Sequence, residues 1–241
     1  MSDLKLDILV LAAHPDDAEI SCGGTLAKHL ALGYKVGVVD LTRGELGTRG
    51  TAEVRDKEAE EASRILGLSI RENLDLRDGF FRNAEEEQRK VVTAIRTYRP
   101  EIILANATED RHPDHGRAAS LIYDSCFLSG LTKVETSDHG KPQHAWRPKA
   151  IYHFIQSQYL HPDLVVDVSD FWEKKMEALK AFRSQFYDPT SKEPETFISN
   201  PGFLKLIETR GHELGYAIGA KYGEGFTVRK LIGVDNLVQL K

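Results

Sequence analysis

The sequence predicts an α/β protein in three layers, a mostly parallel sheet with helices on both faces. Three observations carry this. The run Ile8-Leu9-Val10-Leu11-Ala12-Ala13 is continuously apolar rather than alternating, as a strand buried on both sides requires. A strand followed by a helix recurs three times before a fourth strand at 102–105. The 241 residues are 41% hydrophobic and 29% charged, with 19 Gly and 9 Pro, a balance that excludes disordered, collagenous and coiled-coil chains.

Each element follows from its local pattern. After the first strand and a His14-Pro15-Asp16-Asp17 turn, a helix runs to about Leu32 and stops at Gly33, a residue suited to a left-handed C-terminal cap. A second buried strand spans 35–41. The Gly-rich segment Thr42-Arg43-Gly44-Glu45-Leu46-Gly47-Thr48-Arg49-Gly50 follows, then a helix over 51–66 with Ala62, Ile65 and Leu66 on one face. A short strand near Ile70, a helix over 84–98 and the strand Ile102-Ile103-Leu104-Ala105 continue the alternation. The next helix carries Ala118, Ala119, Ile122 and Cys126 on the face of His115, which aims that imidazole inward. Residues 135–148 read as loop, 150–155 and 164–168 as strands, and 170–186 as helix. Pro189, Pro194 and Pro201 leave 188–202 without regular structure, a candidate lid. A helix over 203–219 and a strand near 226–229 close a Rossmann-like arrangement. With no repeat or linker to split it, the chain is expected to form one domain over 1–241.

Composition restricts the partners. The 32 basic and 37 acidic side chains give a formal charge of −5, opposite in sign to that of a nucleic-acid binder. No apolar run approaches the roughly 20 residues of a membrane helix, and Met1-Ser2-Asp3-Leu4-Lys5 lacks a signal peptide's apolar stretch, so a cytoplasmic location is expected. The two cysteines, Cys22 and Cys126, provide neither a disulfide framework nor a zinc knuckle. Any metal must then be held by His and carboxylate.

Two motifs offer such a set. Ligands of open α/β sheets bind beyond the carboxyl ends of the strands, and both His14-Pro15-Asp16-Asp17 and His112-Pro113-Asp114-His115 lie there. If the first and fourth strands are neighbours, the motifs meet. His14, Asp17 and His115 then supply the two imidazoles and one carboxylate that catalytic zinc takes, with a fourth position open to water. Asp16 is placed to accept a proton from that water. His112, three residues before His115, faces a substrate oxygen, and Asp114 is expected to hydrogen-bond its ring and favour the charged form. Helix capping by Asp16 and Asp114 would account for the carboxylates but not for both histidine pairs. His29, His139, His144, His153, His161 and His212 have no partner at ligand spacing and are read as surface or packing residues.

At these residues Ala13-His14-Pro15-Asp16-Asp17-Ala18-Glu19, with His112-Pro113-Asp114-His115, resembles the PIG-L/LmbE-like zinc N-deacetylases. The likeness extends through 40–50, Ser184-Gln185-Phe186 and Tyr222-Gly223-Glu224-Gly225-Phe226. It looks most like the bacillithiol biosynthesis branch, whose members remove acetate from N-acetylglucosaminyl-malate. The resemblance implies one Zn²⁺ per subunit on His14, Asp17 and His115, with Fe²⁺ or Co²⁺ able to occupy the same ligands. It implies Asp16 as general base, and His112 with Asp114 supporting the tetrahedral intermediate. It also implies Arg55, Asp78 and Ser21 as contacts to a small-molecule sugar conjugate: Arg55 would grip the malate carboxylate and Asp78 the sugar hydroxyls. Hexamers occur in that branch. One departure is that the tyrosine several members use at the oxyanion has no clear counterpart; Phe203 stands near the expected place and Tyr187 earlier in the loop. Another glycoconjugate, a thiol-conjugate amide, or a non-catalytic sugar-binding module remain as alternative readings.

Overall fold

The structure is a computed structural model that describes residues 4–239; residues 1–3, on which part of the signal-peptide reading rests, lie outside the described residues. In chain order the elements are β1 (Ile8–Ala12), α1 (Asp17–Ala31), β2 (Val36–Asp40), α2 (Ala52–Leu66), β3 (Ile70–Asn73), α3 (Glu85–Tyr98), β4 (Ile102–Ala105), α4 (Pro113–Ser129), β5 (Ser137–Asp138), β6 (Lys141–Pro142), β7 (Ala150–Phe154), β8 (Leu164–Asp167), α5 (Trp172–Lys180), α6 (Phe203–Ala217) and β9 (Gly223–Thr227). A seven-stranded sheet of order β3-β2-β1-β4-β7-β9-β8 forms the middle layer. The strands from β3 to β7 run parallel, and β9 is antiparallel to both β7 and β8. The predicted mostly parallel, helix-covered α/β fold is what the chain adopts.

The continuous apolar runs have a direct cause. Along β1, Ile8, Val10 and Ala12 enter an apolar cluster with Leu26, Ala59, Trp172, Phe182 and Phe203, from α1, α2, α5, α6 and the segment after α5. Leu9 and Leu11 point the other way, into a cluster with Val91, Ile95, Leu121 and Ile122 from α3 and α4. No strand position on β1 faces water, so none is polar. Among the described residues, no helix is long and apolar enough to cross a membrane.

Three local expectations are corrected. The helix read over 170–186 stops at Lys180. Beyond it, Ser184 N and Oγ donate to the two carboxylate oxygens of Glu58 on α2 (both 2.7 Å), and Gln185 Nε2 donates to the Arg49 carbonyl (2.8 Å), bonds that draw this segment off the helical path. Residues 135–148 are not all loop. They contain the β5–β6 hairpin, turned by His139 and Gly140 at φ 46° and 76°, left-handed values that fit a two-residue hairpin turn. The last strand lies at Gly223–Thr227 rather than 226–229. Its glycines hid it from an apolar pattern, yet a Cβ on Gly223 would stand 2.6 Å from Val165 and 2.8 Å from the Gly215 nitrogen, so the close approach of β9 to α6 demands glycine.

The order β2-β1-β4 makes β1 and β4 neighbours, with Leu11 opposite Ala105. One connection leaves β1 toward β2 and the other leaves β4 toward β7. The crevice between those diverging loops is the topological switch point, and both histidine motifs open into it.

Candidate metal centre and active site

His14 stands two residues beyond β1. Its backbone N–H donates to Asp17 Oδ2 (3.0 Å) and Asp17 N donates back to the His14 carbonyl (3.3 Å), closing a tight turn into α1. Between them Asp16, at the helix N-cap, has φ 112°, a left-handed value rare for a residue with a side chain. On the second motif, His112 caps α4: its Nδ1 accepts from the Asp114 amide (3.3 Å), Pro113 takes the first helical position, and His115 N donates to the His112 carbonyl (3.1 Å).

Folding joins the two turns. The rings of His14 and His115 lie 5.6 Å apart between centroids, and His112 is 4.8 Å from His14 and 5.1 Å from His115. Asp17 sits between the two, with Oδ2 3.6 Å from His14 Nδ1 and Oδ1 3.2 Å from His115 Nε2. Ligand bonds of roughly 2.0–2.1 Å in a tetrahedral site put neighbouring donors roughly 3.3 Å apart, and the two Asp17 separations, one from each carboxylate oxygen, are close to that spacing. The outer nitrogens are already committed. His14 Nε2 donates to Asp78 Oδ1 at 3.0 Å, with Asp114 Oδ2 3.4 Å away, and His115 Nδ1 donates to Asp110 Oδ2 at 2.5 Å. That assigns each ring the tautomer whose inner nitrogen is free, the carboxylate–histidine arrangement of metal sites. The donor set therefore fits a divalent cation. His14, His112 and His115 also bring ring nitrogens within 4.8 Å of one another.

The electrostatics are those of a crowded acidic pocket. Burial opposes the Asp17 charge, but His115, His14 and their hydrogen bonds outweigh it and hold the carboxyl well below its usual range. Burial likewise opposes a charged His115, but Asp17 and Asp110 win and lift it to about 9; His14 is raised in the same way by Asp114, Asp17 and Asp78. Asp16 goes the other way. Burial raises it to about 7 against the pull of the Arg55 guanidinium.

The remaining candidates fall in different places. A cavity of about 370 Å³ opens over the centre, walled in part by Asp16, Arg49, Arg55, Asp78, Arg111 and Phe203. Arg55 is at that wall but is not free to grip a ligand by its fork. Its Nη2 donates to the Pro15 carbonyl (2.6 Å) and Asp16 Oδ2 (3.3 Å), and its Nη1 to the Gly44 carbonyl (3.2 Å). Asp78 is occupied by His14 and by the Leu46 amide (3.0 Å). Ser21 does not line this cavity; it borders a separate void of about 30 Å³ behind the centre, where its buried hydroxyl has no hydrogen-bond partner. The expected carboxylate bond from Asp114 to the His112 ring is also absent. Asp114 accepts from Gly79 N (2.8 Å) and Arg117 instead, and only its backbone amide meets His112. Nor is His112 driven toward its charged form: burial, reinforced by His14 and His115, lowers its pKa.

Three residues escaped the sequence reading. Asn106 Nδ2 donates to Asp17 Oδ2 (2.9 Å) while its Oδ1 accepts from Ala13 N (2.8 Å), and Gln156 Nε2 donates to Asp17 Oδ1 (2.8 Å). Asn106 also donates to Gln156 Oε1 (2.9 Å), so two neutral amides clamp one carboxylate. Asp110 is the third. Each amide follows a buried apolar strand by one or two residues, the position at which β1 presents His14, and that placement was the available signal.

Comparison with known proteins gives the chain's relatives. Residues 9–126, which include both motifs, match the family described as PIG-L, GlcNAc-PI de-N-acetylase. The diacetylchitobiose deacetylase of Thermococcus kodakarensis is 32% identical over 237 residues, 93% of this chain and 85% of that protein. A probable N-acetyl-alpha-D-glucosaminyl L-malate deacetylase 2 of Bacillus anthracis is 24% identical over 192 residues, 74% of this chain and 81% of its own. The conserved protein TT1542 from Thermus thermophilus superposes with a TM-score of 0.85 at 35% identity, covering 95% of this chain and 98% of that one. With likeness running nearly the whole length of both partners, the chain belongs to the PIG-L, or LmbE-like, deacetylase family.

Proposed function

We propose that the protein hydrolyses the N-acetyl group of an N-acetylglucosamine glycoside at a zinc centre held by His14, Asp17 and His115. The observation that carries this reading is the approach of His14 and His115 to the two oxygens of the Asp17 carboxylate between them, with the strained Asp16 beside it. A divalent cation bound there supplies Lewis acidity, polarising the acetyl carbonyl and lowering the pKa of water.

The chain's own groups do the rest. Asp16, at about 7 by burial, takes the proton of the attacking water as its oxygen bonds to the carbonyl carbon. Arg55 holds that carboxylate in place from behind. His112 is neutral, and because its Nδ1 accepts from the Asp114 amide its proton is on Nε2, where it donates to the oxygen that becomes negative. The C–N bond then breaks, the proton on Asp16 passes to the leaving nitrogen, and acetate and the free amine depart. Phe203 lines the cavity and offers no hydroxyl, while Tyr187 is half exposed outside it, so His112 is the oxyanion donor we assign.

For the aglycone we propose L-malate. The motif resemblance points there, and Arg49 and Arg111 stand on the cavity wall beside the carboxylates of the centre. A second amino sugar is the competing reading, favoured by the 32% identity to a diacetylchitobiose deacetylase. Acetate release from N-acetylglucosaminyl-L-malate and from N,N'-diacetylchitobiose, measured side by side on the zinc-loaded protein, decides between them; release from neither removes the deacetylase reading. The hexamer that the resemblance implies is checked by sedimentation.

A further inference from the structure

Arg49 lies in the Gly-rich segment between β2 and α2, and its side chain is only 5% exposed. It lines the same cavity as His14, Asp16 and Gln156. A guanidinium taken out of water normally finds several acceptors, because an unpaired buried charge is costly. This one donates no hydrogen bond among the described residues, and its Nε is buried without a partner. The Arg55 Nε is likewise without a partner, but its two terminal nitrogens donate to three oxygens, whereas those of Arg49 donate to none among the described residues.

Among the described residues, Asp188 acts on Arg49 only at longer range, and the carboxylate within ion-pair distance is that of Glu193, from the proline-containing loop over the cavity. Its Oε2 is 3.5 Å from Arg49 Nε, and its Oε1 accepts from the Gly50 amide at 3.1 Å. Glu193 itself is about half exposed. An adjacent guanidinium and backbone N–H thus share one carboxylate, brought in from solvent by a segment without regular structure. The other charged groups on the wall are otherwise engaged: Arg55 with Asp16, Asp78 with His14, and Arg111 against the Phe197 ring at 4.3 Å.

We infer that Arg49 and the Gly50 amide form the subsite for a carboxylate on the aglycone, and that Glu193 occupies it in the absence of substrate. The inference rests on the deacetylase reading for which end of the substrate faces the metal. A substrate carboxylate would take the place of Glu193 and form with Arg49 the short, charge-assisted bonds that Glu193 does not make. Substrates with neutral aglycones would leave Glu193 where it is. The same residue pair would then set both the preference for acidic aglycones and the position of the loop.

The test uses two amine probes that cannot be deacetylated, glucosaminyl-L-malate and methyl glucosaminide, titrated by calorimetry into the zinc-loaded protein, R49Q and E193Q. The parent is expected to bind the acidic probe about tenfold more tightly, and R49Q to reduce that ratio to within about twofold. E193Q is expected to bind the acidic probe several-fold more tightly and the neutral one unchanged. A ratio that survives R49Q, or an E193Q variant with no gain for the acidic probe, overturns the inference and makes the pair a strap for the loop. Should R49Q fail to fold, the E193Q titration decides alone. Acetate release is measured separately: a preference lost in R49Q with no acetate released from any acetamido sugar would retain the subsite and remove the hydrolytic reading.

Discussion

Asp16 combines a left-handed backbone, burial and the pull of the Arg55 guanidinium, and each has a kinetic signature. An Asp16→Asn variant is expected to keep its metal and lose about 10²- to 10⁴-fold in kcat, measured by acetate release. Because the base must be ionised, kcat/KM rises as pH increases through the Asp16 pKa and then levels. The protein alone sets that value at about 7, and a bound cation pulls it lower, so the acid limb lies at or below neutrality. Arg55 lowers the same pKa. Arg55→Ala should therefore move the limb to higher pH and depress kcat for acidic and neutral aglycones alike; a loss confined to acidic substrates would return Arg55 to the gripping role that the family resemblance implies. The amide clamp gives a third prediction. Gln156→Ala leaves Asp17 Oδ1 without its 2.8 Å donor, and zinc affinity, read by chelator competition, should fall about 10- to 100-fold.

At the scale of elements, α1, β2 and β3 are tied beneath the site by Arg71 on β3. It donates to Asp40 on β2 (2.8 Å) and Glu19 on α1 (2.6 Å), and all three side chains are buried. Removing the cation leaves two carboxylates facing each other. Arg71→Met is expected to destabilise by about 3–5 kcal/mol in denaturant unfolding near pH 8. Burial already raises Asp40 above its ordinary value, and without Arg71 it rises further. Since a raised carboxyl pKa penalises the folded state where that group is ionised, the loss shrinks as pH falls. The strands and helices that carry the site were legible because β1, β2 and β4 are buried on both faces and read as unbroken apolar runs. The β9 strand was displaced because Gly223 and Gly225 respond to the nearness of α6, a tertiary demand that no local pattern encodes.

For the molecule as a whole, three parallel strands meet at the centre: His14 and Asp17 follow β1, Asn106 and His115 follow β4, and Gln156 follows β7. The histidine motifs were legible because two short segments each hold several ligand-type residues. Asn106 and Gln156 were not, since each offers one amide whose partner lies 89 or 139 positions away, and Asp110, five residues from its partner, is hidden in the polar run Glu109-Asp110-Arg111. An ion bound there would join the segments after β1 and β4 directly and the one after β7 through the Gln156–Asp17 hydrogen bond. Zinc at a hundred times its dissociation constant should add about 2.7 kcal/mol and raise the melting temperature by about 5–10 °C over the chelated protein, read by calorimetry.

The sheet order also bears on synthesis. A ribosome-bound chain that has not yet delivered Gly223–Thr227 has every parallel strand, both histidine motifs and Gln156, but leaves one flank of β7 bare and β8 with nothing to pair with. Glu224, which accepts from the Gly24 and Thr25 amides under α1 and from Lys175, arrives equally late. The nascent protein must keep a raw strand margin from sticking to its neighbours until Gly223–Thr227 has been translated and has paired.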